Sequence, residues 1–573
     1  MTPPTRAPQP APGDRAPGGD DGTRAAVVAR TAARLSREAG VPMDPGLSLW
    51  ALAGGVPGPD LRPVDGPADG LAAGAIAEAL GAALEDATDG GQRRAQGLHM
   101  TPAWLAAQLA ERALAPDAGG TTVCDPACGG GAFLVAAAER LHRAGVDRRD
   151  VVRHLVWGAD VDPVCLAAAE AALALWAGEA PPPGRLVVGD PLVEGGGLWP
   201  GAPAGGFGAV VGNPPFQSQL GRLTARSAAD RRRLRERYGD AVRAYTDTAW
   251  LFLLLGCELV RPGGRVVLVQ PQSLVAARDA AAVRAAVDGR ARLVDLWADD
   301  ARVFAAAVRV CAPVLERRAD PAAAGESGDP WGDVWARTLG LPDLPPLPGP
   351  SLGERATVAA GFRDEYYGLV GAVRERDGDG TATAPLVTSG TLVWGRSAWG
   401  ERPVRFAKRR WRAPVVDLTV LDEPDRTAAR RWVERTRRPK LVVATQTSVI
   451  VAAVDAAGAW VPCVPVVAVV PHDPTDLWHL AAAVASPVAS AWMARRAAGT
   501  GLDRHALRIS GPALAALPLP TPSGAWDDAA AALRDFAAAP GDDALQVYAE
   551  AAGRAYGAPA GLTGWWFERV YRH

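Results

Sequence analysis

From about residue 99 to 318 the chain alternates short apolar runs with longer stretches whose apolar residues recur every three or four positions. The runs Thr121–Cys124, Leu155–Gly158, Leu186–Gly189, Ala209–Gly212, Arg265–Val269, Leu293–Leu296 and Val308–Leu315 predict strands. The stretches Phe133–His142, Cys165–Trp176, Asp247–Leu259 and Ala276–Val287 predict helices. Strands separated by helices of this length imply an α/β fold with a doubly wound, Rossmann-like, mostly parallel sheet. Such a sheet binds its ligand at the carboxyl ends of its strands, so chemistry is expected just after them. Upstream, Arg24–Arg37 and Leu71–Ala87 read as helices within a segment spanning 25–98, and the Pro/Gly/Asp-rich residues 1–24 are expected to lack structure. Residues 319–350 read as a Pro/Gly-rich linker. Residues 351–573 read as a mixed α+β domain with helical patterns near 525–556. No internal repeat is visible.

Composition narrows the function classes. Of the 61 basic residues among 573, only Lys408 and Lys440 are lysines. A phosphate loop ending in Gly-Lys-Ser/Thr is therefore absent, which excludes an autonomous P-loop ATPase. The net charge of −2 says nothing about partners. Glycine (64) and proline (50) are abundant enough to raise the chance rate of any glycine motif, so an isolated one carries little weight. Six scattered cysteines form neither a CxxC pair nor a Cys/His metal spacing, which fits free thiols and predicts no metal site. The start Met-Thr-Pro-Pro-Thr-Arg has no apolar leader, and the longest apolar run is Trp250–Leu255. The expectation is a soluble cytoplasmic protein with no membrane partner.

Four unusual segments follow four predicted strands in order. The first is Val123-Cys124-Asp125-Pro126-Ala127-Cys128-Gly129-Gly130-Gly131-Ala132-Phe133-Leu134, a strand leading through a glycine loop into a helix. Its glycines allow close ligand approach, and a helix start favours an anionic group; the plain alternative is a turn forced by composition. The second is Gly158-Ala159-Asp160-Val161-Asp162-Pro163, where an acid can accept from ribose hydroxyls. Asp162, just before a proline, reads as a helix cap, leaving Asp160 for a ligand. The third is Gly189-Asp190-Pro191-Leu192, in which Asp190 could accept from an adenine amino group or simply end a strand. The fourth is Val210-Val211-Gly212-Asn213-Pro214-Pro215-Phe216. Two prolines remove two donors and fix the backbone, so the Asn213 side-chain oxygen and the Pro214 carbonyl become converging acceptors beside an aromatic ring. That set suits a planar heterocycle bearing an NH2 group, and a proline turn alone does not explain it.

Together these residues resemble the class I S-adenosylmethionine-dependent methyltransferases, and more closely the gamma-class, TaqI-like adenine-N6 DNA methyltransferases. Upstream, Gly97-Leu98-His99-Met100-Thr101-Pro102 resembles the family's Thr-Pro motif. Downstream, Leu259–Arg265 resembles its Leu-x-x-Pro-Gly-Gly segment, and Phe304 matches a second base-stacking aromatic. Segments 385–390, 439–445, 507–510 and 517–520 resemble target-recognition elements. Phe216 departs from the tyrosine of many relatives, keeping the ring and losing the hydroxyl.

The resemblance implies S-adenosylmethionine held by Thr101, Asp125, Pro126, Ala127, Cys128, Gly129, Gly131, Phe133, Asp160, Val161, Asp190 and Pro191. It implies catalysis by Asn213, Pro214, Pro215 and Phe216 on a base flipped out of duplex DNA and stacked between Phe216 and Phe304. It also implies no metal, and a cognate restriction or defence subunit as a further partner. Two arginine-rich runs are candidate DNA contacts, with a solvated charged face as the alternative for each. Arg222–Arg243 has eight arginines against three acids and contributes Arg222 and Arg226. Arg396–Lys440 has 14 basic and 6 acidic residues and contributes Arg405, Lys408, Arg409 and Lys440. Three other readings share the motif: a modification subunit that borrows its specificity from a partner, a methyltransferase acting on RNA or a protein amide, and a fused restriction–modification enzyme, against which stands the lack of any lysine before Lys408 for an Asp/Glu-x-Lys nuclease core.

Overall fold

The computed structural model describes residues 19–41, 43, 46–54, 72–88, 100–216, 227–243, 246–299, 303–304, 309–320, 330–338, 340–361, 363–377, 382–497, 507–559 and 561–570. They form two compact units, Met1–Val334 and Trp335–His573.

The first unit opens with helices α1 (Gly19–Ala39), α2 (Ser48–Leu52), α3 (Ala73–Ala87) and α4 (Ala103–Ala113). Strand β1 (Val123–Asp125) follows, then α5 (Ala132–Arg143), α6 (Arg148–His154), β2 (Val156–Asp160), α7 (Pro163–Ala177), β3 (Leu186–Val188) and β4 (Phe207–Gly212). Next come α8 (Ala228–Tyr238), α9 (Thr248–Leu259), β5 (Val260–Leu268), β6 (Gln270–Pro271), α10 (Ala281–Asp288), β7 (Ala291–Ala298) and β8 (Val310–Arg317). The sheet order is β3-β2-β1-β4-β5-β8-β6, with β7 also pairing β8. The first five strands are parallel, and β8 runs antiparallel to β5, β6 and β7. The chain direction across the sheet reverses between β1 and β4, which opens a crevice at the carboxyl ends of adjacent strands.

Helix α7 shows why the upstream helices belong with this sheet. Asp162 caps it by accepting from Val164 N (2.9 Å) and Cys165 N (3.4 Å), Pro163 occupies its first turn, and Gly178 ends it with φ 70°. Its buried positions run almost continuously from Val164 to Trp176. A helix apolar on all sides must be covered on all sides. The sheet covers one face, and α1, α2 and α3 pack on the other, sharing one hydrophobic core with it. The described helices within 25–98 thus share a core with the sheet, and 19–24, expected to lack structure, begin α1. Arg24 on that turn is almost fully buried and donates from Nη2 to Asp162 Oδ2 at 2.8 Å. Residues 330–338, read as linker, form a helix whose Trp331 and Trp335 are fully buried.

The second unit is mixed α+β. One four-stranded sheet joins Val373–Glu375, Pro414–Asp417, Thr383–Val387 and Val461–Pro462; another joins Ala452–Asp455, Lys440–Ala444, Val466–Pro471 and Ala356–Ala360. Helices Gly524–Ala538, Asp542–Ala555 and Gly561–Val570 close it, the first two broken at Pro540-Gly541. Among the described residues, no single helix is long and apolar enough to cross a membrane.

Removing one partner of a buried ion pair strands the other charge. Arg24→Met is expected to lower the unfolding free energy by about 3 kcal/mol, measured by urea denaturation.

Candidate active site

The loop after β1 is built around two buried carboxylates. Asp125 is 1% exposed, and its Oδ1 accepts from Ala127 N at 3.0 Å. Burial pushes its carboxyl up to about 8, against the backbone bond from Ala127 and with a smaller push from Asp160. Asp160, at the end of β2, accepts from Asp162 N through Oδ1 and from Gly129 N through Oδ2, both at 2.9 Å. Burial also raises it, to about 6, although these backbone donors favour its charged form. Asp160 therefore ties the glycine loop to the neighbouring strand end. Gly129 has φ 50°, and a Cβ built there would meet nothing within 4 Å, so the loop is open above it. Val161 beside it is 65% exposed, unusual for an apolar residue at the head of a buried helix.

Gly212, the last residue of β4, adopts φ 151°, and a Cβ there would stand 2.5 Å from Asp125 Oδ1. Only glycine lets β4 pass over the Asp125 carboxylate. The chain leaves β4 directly into Asn213. Its Nδ2 donates to Thr101 Oγ1 at 3.1 Å, while its Oδ1 is buried with no hydrogen-bond partner among the described residues. Pro214 is buried; Pro215 and Phe216 are half-buried, Phe216 packing against the margin of the main core. Thr101 lies just before α4. The preceding residue, Met100, donates from N to Glu85 Oε1 in α3 at 3.1 Å, and its side chain lies against Gly81 and Gly130.

The structure thus brings Thr101, Asp125, Gly129, Asp160 and Asn213 to the carboxyl edge around β1, β2 and β4. Other residues read as cofactor contacts sit differently. Phe133 is buried in the core, and Pro126, Cys128 and Pro191 are buried as well, so these side chains support the loops. Gly131 is the left-handed N-cap of α5. Asp190 Oδ1 caps the short helix Pro191–Glu194 through Leu192 N at 3.1 Å. Phe304 is 7% exposed and belongs to the core that Phe216 borders.

Among the DNA-contact candidates, Lys440 does not reach the surface. It is fully buried, its Nζ bonded to Asp455 Oδ2 and, at 2.9 Å, to the Trp460 carbonyl. Burial pulls its ammonium down, opposed by Asp455. It neutralises a core carboxylate and cannot reach a phosphate. Arg405, Lys408 and Arg409 do lie together, exposed on the hairpin Val404–Phe406/Arg409–Trp411. Ala407 and Lys408 form its turn with φ 50° and 65°. Arg222 and Arg226 lie outside the described residues. Sequence reading missed Glu85 and Arg24, because their partners are 15 and 138 residues away.

The sign of the pH dependence follows from burial. Asp125 favours its protonated form in the folded chain, so its contribution to stability is complete below the unfolded value near pH 4 and is lost as pH rises through about 8. The ligand-free protein should lose stability from pH 6 to 8, at no more than about 1.4 kcal/mol per pH unit from this group. Asp125→Asn should flatten that slope, followed by thermal denaturation across the range; an unchanged slope would mean that Asp125 is already ionised at pH 6.

Residues 85–290 match the family model described as N-6 DNA Methylase. The type IIL restriction-modification enzyme MmeI, solved in complex with DNA, is similar at 13% identity and TM-score 0.51, over 90% of this chain and 83% of that one. The type IIG restriction endonuclease BpuSI is similar at 11% identity and TM-score 0.38, over 97% and 78%. A Listeria monocytogenes protein described as a class I S-adenosylmethionine-dependent methyltransferase is similar at 15% identity and TM-score 0.36, over 51% and 88%. No curated protein sequence matches. The matched residues include the strand ends that carry Asp125, Asp160 and Asn213, and the chain is an S-adenosylmethionine-dependent adenine-N6 DNA methyltransferase.

Proposed function

We propose that the protein methylates N6 of an adenine flipped out of duplex DNA at a specific sequence, as part of a restriction-modification or phage-defence system. The observation that carries this reading is the Asn213 amide. One end is tied to Thr101, and the other presents a buried acceptor with no partner among the described residues. An unpaired buried carbonyl is costly, about 1–3 kcal/mol, so a site that holds one is built for a donor. The exocyclic amine of adenine is such a donor.

The loop fits the cofactor. Gly129 leaves open space, Asp160 offers carboxylate oxygens at the end of β2, and exposed Val161 offers an apolar surface for a purine ring. Bound S-adenosylmethionine would supply an electrophilic methyl group on a cationic sulfur. The remaining work is done by this chain. Asn213 Oδ1 and the Pro214 carbonyl accept the two amine hydrogens, which draws the nitrogen lone pair out of conjugation and aims it. The half-buried Phe216 ring offers a stacking face; base stacking on an aromatic contributes about 1–3 kcal/mol and offsets part of the cost of flipping. Holding both reactants in one geometry supplies much of the rest. The amine proton passes to water after transfer.

The second unit fits the role of target recognition. On its hairpin Arg405 faces Arg410 directly across the strands, and Lys408 and Arg409 are exposed beside them. Like charges in register destabilise a hairpin, so their juxtaposition favours an anionic partner such as the DNA backbone.

Two outcomes test the proposal. Expressed in a host lacking DNA methylation, the wild type should place N6-methyladenine at one sequence motif, read by single-molecule sequencing, and Asn213→Ala should abolish it. Unmodified DNA from a folded protein that binds S-adenosylmethionine would point to a missing specificity subunit or to an RNA or protein substrate. In binding assays, Arg405→Ala/Arg410→Ala should reduce the salt dependence of DNA affinity by about 0.9 in log–log slope for each phosphate that the protein no longer neutralises.

A further inference from the structure

We infer that the hairpin 404–411 is the base-reading element of the second unit: a two-stranded ribbon that enters the major groove of the DNA target, where Arg405 and Arg410 bind the guanines of two neighbouring G·C pairs. The inference rests on the function proposed above and adds to it which feature of the DNA is read. A contact that needs only positive charge is served by any exposed cation. Reading a base edge needs donors held at a fixed place and direction.

The hairpin holds its side chains in that way. Strands Val404–Phe406 and Arg409–Trp411 pair antiparallel, with Val404 opposite Trp411, Arg405 opposite Arg410 and Phe406 opposite Arg409. Val404, Phe406 and Trp411 are buried in the core of the unit, so strand alternation turns Arg405 and Arg410 outward, and both are exposed. Trp411 Nε1 donates across the hairpin to the Phe406 carbonyl at 3.1 Å, and the Tyr366 ring stands edge-on to Phe406 with centroids 5.2 Å apart. The turn is Ala407-Lys408, at φ 50° and 65°; among the described residues these are the non-glycine residues with positive φ. A two-residue hairpin turn needs that conformation at both positions, and Asn-Gly is its usual source. Held by Ala and Lys, it persists because both strands are fixed on the core.

The outward charges have no internal partners. Elsewhere in the unit arginines are tied to acids, as Arg374 is to Asp417, Arg396 to Glu401 and Arg426 to Glu423. Arg405, Lys408 and Arg410 form no ion pair among the described residues. Arg409 lies over the Trp411 ring at 4.9 Å, which leaves Arg405 and Arg410 as the outward pair and Lys408 at the tip. Directly opposed residues of a hairpin have Cβ atoms about 5 Å apart. Successive base pairs rise by about 3.4 Å, so two guanidinium groups placed in this way reach base pairs one or two steps apart. The major groove, about 12 Å wide, admits a two-stranded ribbon, and the O6 and N7 acceptors of guanine match the guanidinium fork.

Two measurements on the full chain test this. Expressed in a host lacking DNA methylation, the wild type should mark a motif that carries two G·C pairs at adjacent or next-but-one positions, read by single-molecule sequencing. On synthetic duplexes of that motif, 7-deazaguanine in place of either guanine keeps the base pair and removes N7; it should lower kcat/KM by about 5–10-fold. Arg405→Lys and Arg410→Lys keep the charge and lose the fork. Each should relax the motif at one of the two positions, with discrimination there falling by about 10–100-fold, and each should be indifferent to 7-deazaguanine at that position. Lys408→Gln should weaken binding to all sequences alike and leave the motif unchanged. A motif without such a pair of G·C positions would overturn the inference. So would lysine variants that keep the wild-type motif, since Arg405 and Arg410 would then contact phosphate alone. The 7-deazaguanine arm uses the wild type, so it decides the matter even where a variant does not fold. Wild type that leaves DNA unmodified would instead sink the proposed function.

Discussion

The parallel pairing of β1 with β4 is the contact on which the site depends. These strands are far apart in sequence and adjacent in the sheet, with Val123 opposite Ala209 and Cys124 opposite Val210. Their carboxyl ends therefore emerge side by side, Asp125 from one and Asn213 from the other. The junction is tight enough that Gly212 has room for no side chain over the Asp125 carboxylate. The buried acid and the Asn213 amide are placed by the same hydrogen-bond register. A slip of one residue would turn the side chains of the slipped strand to the opposite face of the sheet and separate the two groups.

Around that junction the molecule keeps polar groups in the interior and satisfies them with backbone. Asp160 accepts from the glycine loop and from the start of α7; Asp162 accepts from α7 and from Arg24. The bond from Gly129 N ties the glycine loop to the end of β2, and among the described residues nothing lies within 4 Å of a Cβ built at Gly129. The cost is borne by Asp125 and Asp160, whose carboxyls are driven up by burial. Perturbed acids gathered at strand ends are a mark of a functional site. The N-terminal helices complete the arrangement by covering α7, whose apolar surface has no polar side to give to water.

The second unit shows how differently two basic residues of one run can be used. Lys440 and Lys408 both belong to the arginine-rich stretch. Lys440 lies on a central strand flanked by Ala452–Asp455 and Val466–Pro471, so its side chain is enclosed and pairs with Asp455. Lys408 sits at a hairpin turn and is exposed. Charge counting treats them alike; strand position decides between a core ion pair and a surface contact.

Much of this was legible in the sequence. The alternation of strands and helices over 99–318 follows from local periodicity, and the four motifs lie after four strands because their glycines, prolines and acids are local turn and cap signals. Asp162 before Pro163 reads as a cap and is one. What only the tertiary structure decided is everything carried by partners distant in the chain. Nothing around Arg24 marks it as the partner of Asp162, and nothing around Glu85 marks it as the support of Met100. Phe133 reads as part of a cofactor motif and is packed in the core, because α5 turns that face towards the sheet. Local signals encode where the backbone turns; which side chains meet is set by burial and register, and these exist only once the sheet has formed.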